Sequence, residues 1–279
     1  MKKIHIVTDS TTDLHIEDIE KYGIHIVPLT IQIANHTYID GVDINPEEFL
    51  EKMASAEELP KSSQPAVGVF SELFDRLGQD GSEIISIHMT DGMSGTVKSA
   101  QAAAEMSDSN VTVIDSMYIS RALSFQVLEA AEMVEAGNIV EEIVERLTEI
   151  RKQTTLFVVV DKLDNLVKGG RIGKGRGLLG SLLKIKPIAT LQDGVYTPVA
   201  QVRSHRQVIS YLFKAFTEET AGKIIRGVGI THANGLAMAE PLKKLIEETG
   251  IKDVSLTFTS PIISTHTGQG AIGFMYYTD

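Results

Sequence analysis

The sequence predicts an α/β protein of two domains, over residues 1–160 and 161–279. In the first half, short β-branched runs alternate with longer stretches of helical spacing, which implies a parallel sheet with helices on both faces. The composition of the sequence changes after about residue 160, because residues 168–180 contain six glycines and four basic residues. A chain of 279 residues allows two domains of ordinary size.

Four buried strands are predicted in the first half, from short apolar runs bounded by polar or turn residues: Lys3–Thr8, Glu83–His88, Val111–Asp115 and Leu156–Val160. Helical spacing of apolar residues predicts helices over Pro46–Met53, Ala66–Leu77, Thr96–Met106, Ser120–Ala136 and Val140–Arg151. The run Ile24–Ile33 contains Pro28, which cannot donate to a sheet ladder. We therefore expect an edge or irregular strand there.

The second half is predicted to be a mixed α/β domain. Asp193-Gly194, a dipeptide typical of tight turns, lies between two predicted strands, which are Ile188–Leu191 and Val195–Gln201. The other predicted strands are Ile225–Thr231, Val254–Thr259 and Ala271–Tyr277. Helices are predicted over Leu178–Leu183, Arg206–Thr217 and Leu236–Thr249.

Composition excludes several classes of function. The chain has 37 acidic and 26 basic residues, so its formal net charge is -11. This charge argues against a nucleic-acid-binding protein that relies on overall attraction for phosphate. Without cysteine there is no disulfide, thiolate nucleophile or cysteine-bound metal. The first apolar run is too short for a signal peptide, and no segment approaches about 18 consecutive apolar residues. We expect a cytoplasmic protein without an integral membrane segment.

Three hydroxyl-rich segments lie beside predicted strand ends or helix starts: Thr8–Asp13, Ser62–Pro65 and Met89–Thr96. Ligands bind beyond the carboxyl ends of strands in an open parallel sheet, so these segments are expected to converge. The alternative is that their side chains only cap helices. A fourth segment, Ser264–Gly270, is interpreted as a loop that holds His266 among small residues.

The segment Lys168–Lys186 is the one sizeable basic stretch of this acidic chain. It contains no acidic residue, and its basic residues are Lys168, Arg171, Lys174, Arg176, Lys184 and Lys186. A solvated loop and a docking site for a partner or a phosphate are both consistent with it.

Short motifs occur in a characteristic order over the whole chain: Asp9–Leu14, Val27–Leu29, Tyr38–Gly41, Ser62–Pro65, Ser94–Thr96, Lys168–Ile172, Lys186–Ile188, Asp193-Gly194, Arg203 and His266–Ala271. Together they resemble the DegV family. Its members bind a fatty acid and present it to a separate, ATP-binding kinase subunit of bacterial fatty acid kinase. The resemblance implies a non-catalytic carrier with no metal or other cofactor, whose ligand is a long-chain acid such as palmitate, stearate or oleate.

The resemblance also implies a site in the cleft between the two domains. Ser62, Ser94 and His266 would bind the carboxylate, and an apolar tunnel would take the acyl tail. The supporting loop residues would be Ser63, Gly95, Thr96 and Gly268, and the residues facing the kinase subunit would be Arg171 and Arg203. Because none of the three carboxylate-binding residues is an arginine, we expect neutral donors alone at the head group.

The sequence departs from the family pattern at two positions. Ser62 stands where threonine is common, which keeps the hydroxyl, and Gln269 stands where proline is common, which restores a backbone donor and loosens the His266 segment. A serine esterase or thioesterase is an alternative function. It would use Ser94 and His266 with a carboxylate such as Asp9 or Asp91, although Gly92–Thr96 only approaches the G-x-S-x-G motif. A third possibility is an adaptor whose basic stretch binds an acidic protein.

Overall fold

The computed structural model describes residues 2–178 and 185–279. These residues form two large sheets and one small sheet. The strands of the described residues are β1 (Ile4–Asp9), β2 (His25–Val27), β3 (Thr30–Ile33), β4 (His36–Ile39), β5 (Lys61–Ser63), β6 (Glu83–His88), β7 (Asn110–Asp115), β8 (Thr154–Val159), β9 (Lys186–Gln192), β10 (Val195–Val202), β11 (Ile225–His232), β12 (Val254–Phe258) and β13 (Ile272–Thr278).

The helices of the described residues are α1 (Ile16–Tyr22), α2 (Pro46–Ser55), α3 (Val67–Gly78), α4 (Thr96–Met106), α5 (Ser120–Glu135), α6 (Val140–Gln153), α7 (Asp164–Lys168), α8 (His205–Glu219), α9 (Leu236–Glu247) and α10 (Pro261–Thr267). Two 3-10 turns cover Ser10–Thr12 and Gly173–Leu178. The helix predicted over Leu178–Leu183 lies, after its first residue, outside the described residues.

The first sheet is parallel throughout, in the order β2-β1-β6-β7. Phe70 and Phe74, four residues apart on α3, are fully buried against this sheet together with Ala100 of α4. Helix α5 packs against β1 and β6 in a different apolar cluster. The predicted parallel sheet, with helices on both faces, is confirmed.

The chain changes sheets at Pro28. Strand β2 forms an edge of the parallel sheet and ends at Val27, whereas β3 begins at Thr30 and belongs to the antiparallel sheet β4-β3-β5. The expected edge strand is therefore confirmed, but it is only the first part of the predicted run. Strand β5, which carries Ser62, was not predicted, because three polar residues give no apolar alternation.

The second large sheet is mixed, in the order β10-β9-β8-β13-β11-β12. The prediction of β8 as a strand of the first sheet is wrong, because β8 pairs antiparallel with β13 and β9. Both of its faces are apolar and buried, so its sequence does not show which sheet it joins. We accordingly propose a domain boundary before Thr154 instead of after residue 160.

Helix α5 lies between the two large sheets. It packs against β1 and β6 of the first sheet and against β8, β11 and β13 of the second. Ten of its residues are buried, including the polar Ser124 and Gln126. The hairpin of β9 and β10 turns at Asp193-Gly194, as predicted, where both residues have a positive φ.

Candidate functional site

A cavity of about 320 Å³ is lined by both halves of the chain. Its apolar lining consists of Leu29, Met89, Met93, Ile119, Val158, Leu166, Tyr196, Ile262 and Ile263. Its polar lining consists of Ser62, Ser63, Gln64, Ser94, Arg171, His266 and Thr267. The structure therefore brings Ser62, Ser94 and His266 to one cavity with an apolar wall.

Ser62 and His266 are in direct contact, although 204 residues separate them in the chain. The distance from Ser62 Oγ to His266 Nε2 is 2.8 Å. Ser62 lies in β5, opposite Ile31 of β3, so the small sheet holds its hydroxyl toward α10. Ser63, the next residue, is exposed and also lines the cavity.

The interpretation of the His266 segment as a loop is wrong, because His266 lies in the last turn of α10. Ser260 caps the start of this helix and Pro261 occupies its first turn. Gly268 ends it with φ 76°, and the Gly268 N–H donates to Ser264 O. These signals are present in the sequence, but a helix of seven residues is too short for a clear apolar periodicity.

The imidazole of His266 is neutral near pH 7. Burial, and to a lesser extent the charge of Arg171, lowers its pKa to about 4. Its Nδ1 has no hydrogen-bond partner among the described residues. The backbone of Gly169 packs so closely against the ring that a Cβ at this position would overlap Nδ1.

Ser94 lies between β6 and α4, as the sequence predicts. Its Oγ is 2.8 Å from Oγ1 of the buried Thr96, and no side chain caps α4. The helix-capping alternative therefore does not describe Ser94.

Gln64 was missed by the sequence interpretation as a site residue. Its Nε2 donates to Gly95 O at 3.1 Å and to Ser99 Oγ at 2.8 Å. The side chain lies over Gly95, where a Cβ would overlap it. Gln64 thus joins the segment of Ser62 to the segment of Ser94.

Arg171, which the family resemblance places toward the kinase subunit, also lines this cavity. Its Nε donates to Met93 O at 3.0 Å and its Nη1 donates to Gly169 O at 2.6 Å. Burial lowers its pKa without neutralising the guanidinium. Arg203 is exposed before α8, and its backbone N–H donates to Gln207 Oε1 at 2.8 Å.

Other residues of the basic stretch make local contacts. Lys186 Nζ is 2.6 Å from Asp161 Oδ1, and Lys174 Nζ donates to Gln192 Oε1 at 3.1 Å. Lys184 lies outside the described residues. Gln269 is exposed just beyond the end of α10.

The side chains needed for an esterase do not assemble around Ser94. His266 Nε2 contacts Ser62 instead, while Asp9 Oδ2 is 3.1 Å from His88 Nδ1. Asp91 pairs with Lys98 at 2.9 Å. A carboxylate that would orient His266 is therefore missing from the described residues.

A serine–histidine–aspartate array does exist inside the first sheet. Ser86 Oγ is 2.6 Å from His88 Nε2, and His88 contacts Asp9. All three side chains are fully buried. A substrate has no access to them in this structure, so the array serves to satisfy buried polar groups.

The described residues contain neither a candidate metal site nor a candidate membrane span. No group of three histidine or acidic side chains is arranged to hold a metal ion within residues 2–178 and 185–279. The helices within these two ranges are all too short or too polar to span a bilayer.

Comparisons with known proteins give consistent matches over the full length. The family model described as "Uncharacterised protein, DegV family" matches residues 3–279. A DegV domain-containing protein of Listeria innocua is 47% identical over 281 residues, with 100% of both chains covered.

Two solved structures are similar in fold. The structure of DegV from Bacillus subtilis, described as a fatty acid binding protein, has a TM-score of 0.91 and 32% identity, with 100% of both chains covered. A DegV family protein from Thermus thermophilus, solved in a study of fatty acid binding, has a TM-score of 0.93 and 29% identity. That match covers 99% of this chain and 100% of the other.

Proposed function

This chain belongs to the DegV family, and from that premise we propose that it binds one long-chain fatty acid in the cavity and presents the carboxylate to a separate kinase subunit. One observation carries the proposal. Ser62, Ser94 and His266, from three distant parts of the sequence, line a single cavity whose remaining wall is mostly apolar.

The apolar wall supplies affinity for the tail. Burial of each methylene group contributes about 0.8 kcal/mol, so a palmitate-length tail of about fourteen methylenes offers roughly 11 kcal/mol before the costs of ordering. The cavity accordingly suits palmitate, stearate or oleate better than a short acid.

The polar residues hold the carboxylate, which would lose affinity if it were buried without hydrogen bonds. In one tautomer, His266 Nε2–H donates to Ser62 Oγ, and the Ser62 hydroxyl is then free to donate to the carboxylate. The Ser94 hydroxyl provides a second donor. Arg171 adds a positive charge to the same cavity, which favours the ionised form of the acid.

The protein would act as a carrier in the cytoplasm. An ATP-binding kinase subunit would dock near Arg171 and the exposed Arg203, and a carboxylate oxygen of the bound acid would attack the γ-phosphorus of ATP, with ADP as the leaving group. The product would be an acyl phosphate. Metal ions and nucleotide would belong to the kinase subunit.

Mass spectrometry of the denatured recombinant protein tests the carrier function. We expect about one fatty acid per chain, and a strong decrease in occupancy in the folded double variant Ser94→Ala/His266→Ala. Full occupancy in that variant would contradict the carboxylate site, and the absence of any stoichiometric lipid would favour the adaptor function. Covalent labelling of Ser94 by a fluorophosphonate would instead favour the hydrolase.

A further inference from the structure

A second, much smaller hollow adjoins the main cavity. Its volume is about 20 Å³, comparable to the space that one water molecule needs. It shares Ile119, Val158, Ile263 and Thr267 with the main cavity, whereas Ser62, Ser94 and His266 do not line it. The hollow therefore adjoins a wall of the cavity that the three proposed carboxylate-binding residues do not form.

One wall of this hollow is formed by Gly273, a residue of the second large sheet that has no side chain. Gly273 of β13 pairs with Val158 of β8 on one side and with Thr231 of β11 on the other. Side chains in such a cross-strand row point to the same face of a sheet, and Val158 and Thr231 both line the hollow. The missing side chain at Gly273 leaves a depression between them.

Little space separates this glycine from its neighbours. A Cβ at residue 273 would lie 2.9 Å from Thr231 Oγ1 and 3.2 Å from Met275 Cε. An alanine there would fill part of the hollow, and its β-strand backbone does not require glycine, because φ is not positive.

Hydroxyl groups in the wall of the hollow are already hydrogen-bonded. Ser120 Oγ donates to Asp13 Oδ2 at 2.5 Å and lies 3.1 Å from Thr231 Oγ1. Thr259 Oγ1 donates to the same carboxylate oxygen at 2.8 Å. Among the polar side chains described in the wall, only His232 Nδ1 is buried without a hydrogen-bond partner. One such atom is too few for a water molecule, which needs about two to four polar partners, so an apolar group is the better occupant.

We propose, on the basis of the fatty-acid-binding function above, that the methyl end of the acyl tail lies over Gly273 and that Gly273 and Thr231 limit the length of the bound chain. Each methylene group that no longer fits the cavity weakens binding about fourfold. Filling the hollow therefore penalises the longest acids and spares shorter ones.

The test compares dissociation constants for saturated fatty acids of about 12 to 20 carbons. In Gly273→Ala, we expect the longest acid that the wild type binds tightly to lose affinity at least fourfold, while acids two or more carbons shorter change less than twofold. Thr231→Ala enlarges the hollow and is expected to shift the preference toward longer acids.

Gly229→Ala is the matched control. Gly229 lies two residues before Thr231, on the same face of β11, and its added Cβ would be 3.0 Å from Ser255 Oγ. Gly229 lines neither the main cavity nor the hollow, so the chain-length profile should stay that of the wild type.

Three outcomes would contradict either the chain-length inference or the proposed fatty-acid-binding function. An unchanged profile in Gly273→Ala, with fatty acid bound by the wild type, would overturn the chain-length inference alone. An equal loss for all chain lengths in Gly273→Ala, with Thr231→Ala unchanged, would overturn it too. Failure of the wild type to bind any fatty acid would instead overturn the proposed function.

Discussion

The imidazole of His266 is fixed on two sides. Ser62 contacts Nε2, and the backbone of Gly169 packs against Nδ1. Because a glycine at this position leaves room for the ring, Gly169 positions the imidazole although it has no polar side chain. Its φ is negative, so close packing is what requires glycine here.

Replacement of Gly169 by alanine tests this packing. The new methyl group would push the imidazole away from Ser62, so we expect fatty-acid affinity to decrease at least tenfold. Isothermal titration calorimetry measures this affinity. Gly177→Ala is the control, because a Cβ at residue 177 meets nothing within 4 Å, and equal affinities in the two variants would contradict the role of Gly169.

The low pKa of His266 makes stability depend on pH in a definite direction. In the unfolded chain histidine titrates near pH 6.5, whereas in the native protein His266 titrates near 4. Between these values the unfolded state binds more protons, so the free energy of unfolding decreases as the pH falls from about 6.5 to 4.

Urea denaturation of the ligand-free protein at pH 7 and pH 5 measures this effect. We expect His266→Gln to lose less stability than the wild type between the two pH values. His36→Gln, at an exposed site, should behave like the wild type. An identical pH dependence in all three proteins would show that His266 is already protonated at pH 5.

At the scale of elements, the carboxylate of Asp13 joins the starts of α5 and α10. Asp13 follows the first strand, yet its Oδ1 accepts from the Ser260 N–H at the start of α10, at 2.8 Å. Its Oδ2 accepts from Thr259 and from Ser120, the first residue of α5. Burial raises the pKa of Asp13 to about 6, against the effect of these donors.

Asp13→Ala removes an acceptor shared by three donors. Ser120 Oγ can still bond to Thr231 Oγ1, so two donors lose their partner. At about 1–3 kcal/mol for each unpaired buried donor, we expect the free energy of unfolding to decrease by about 2–6 kcal/mol. Chemical denaturation at pH 7 measures the change. The exposed Asp253→Ala is the control, and a change below about 0.5 kcal/mol in both variants would show that Asp13 does not hold these elements together.

At the scale of the whole molecule, a ligand between the two halves should stabilise both. A ligand at one hundred times its dissociation constant adds about 2.7 kcal/mol to the free energy of unfolding. We therefore expect delipidation to lower Tm by several degrees and added oleate to restore it, as measured by calorimetry. A Tm that does not depend on oleate would contradict the proposed cavity ligand.

Local patterns in the sequence predicted most strands and helices, because each carries its own apolar spacing. They assigned β8 to the wrong sheet, since Leu156–Val159 is apolar on both faces and does not show which sheet it joins. Ser62, Ser94 and His266 were identified through the family resemblance, whereas Arg171 was expected to face the kinase subunit and its place in the cavity lining was not predicted. Its place in the cavity depends on contacts with Met93 O and Gly169 O, which no local pattern encodes.

The position of α5 has a consequence for the integrity of the polypeptide. This helix completes the apolar interior of both large sheets, so a fragment that ends near residue 115 or one that begins near residue 154 would leave a sheet face uncovered. Such fragments should aggregate when expressed separately. The two halves therefore depend on each other for stability, and neither could readily be recombined with an unrelated domain during evolution.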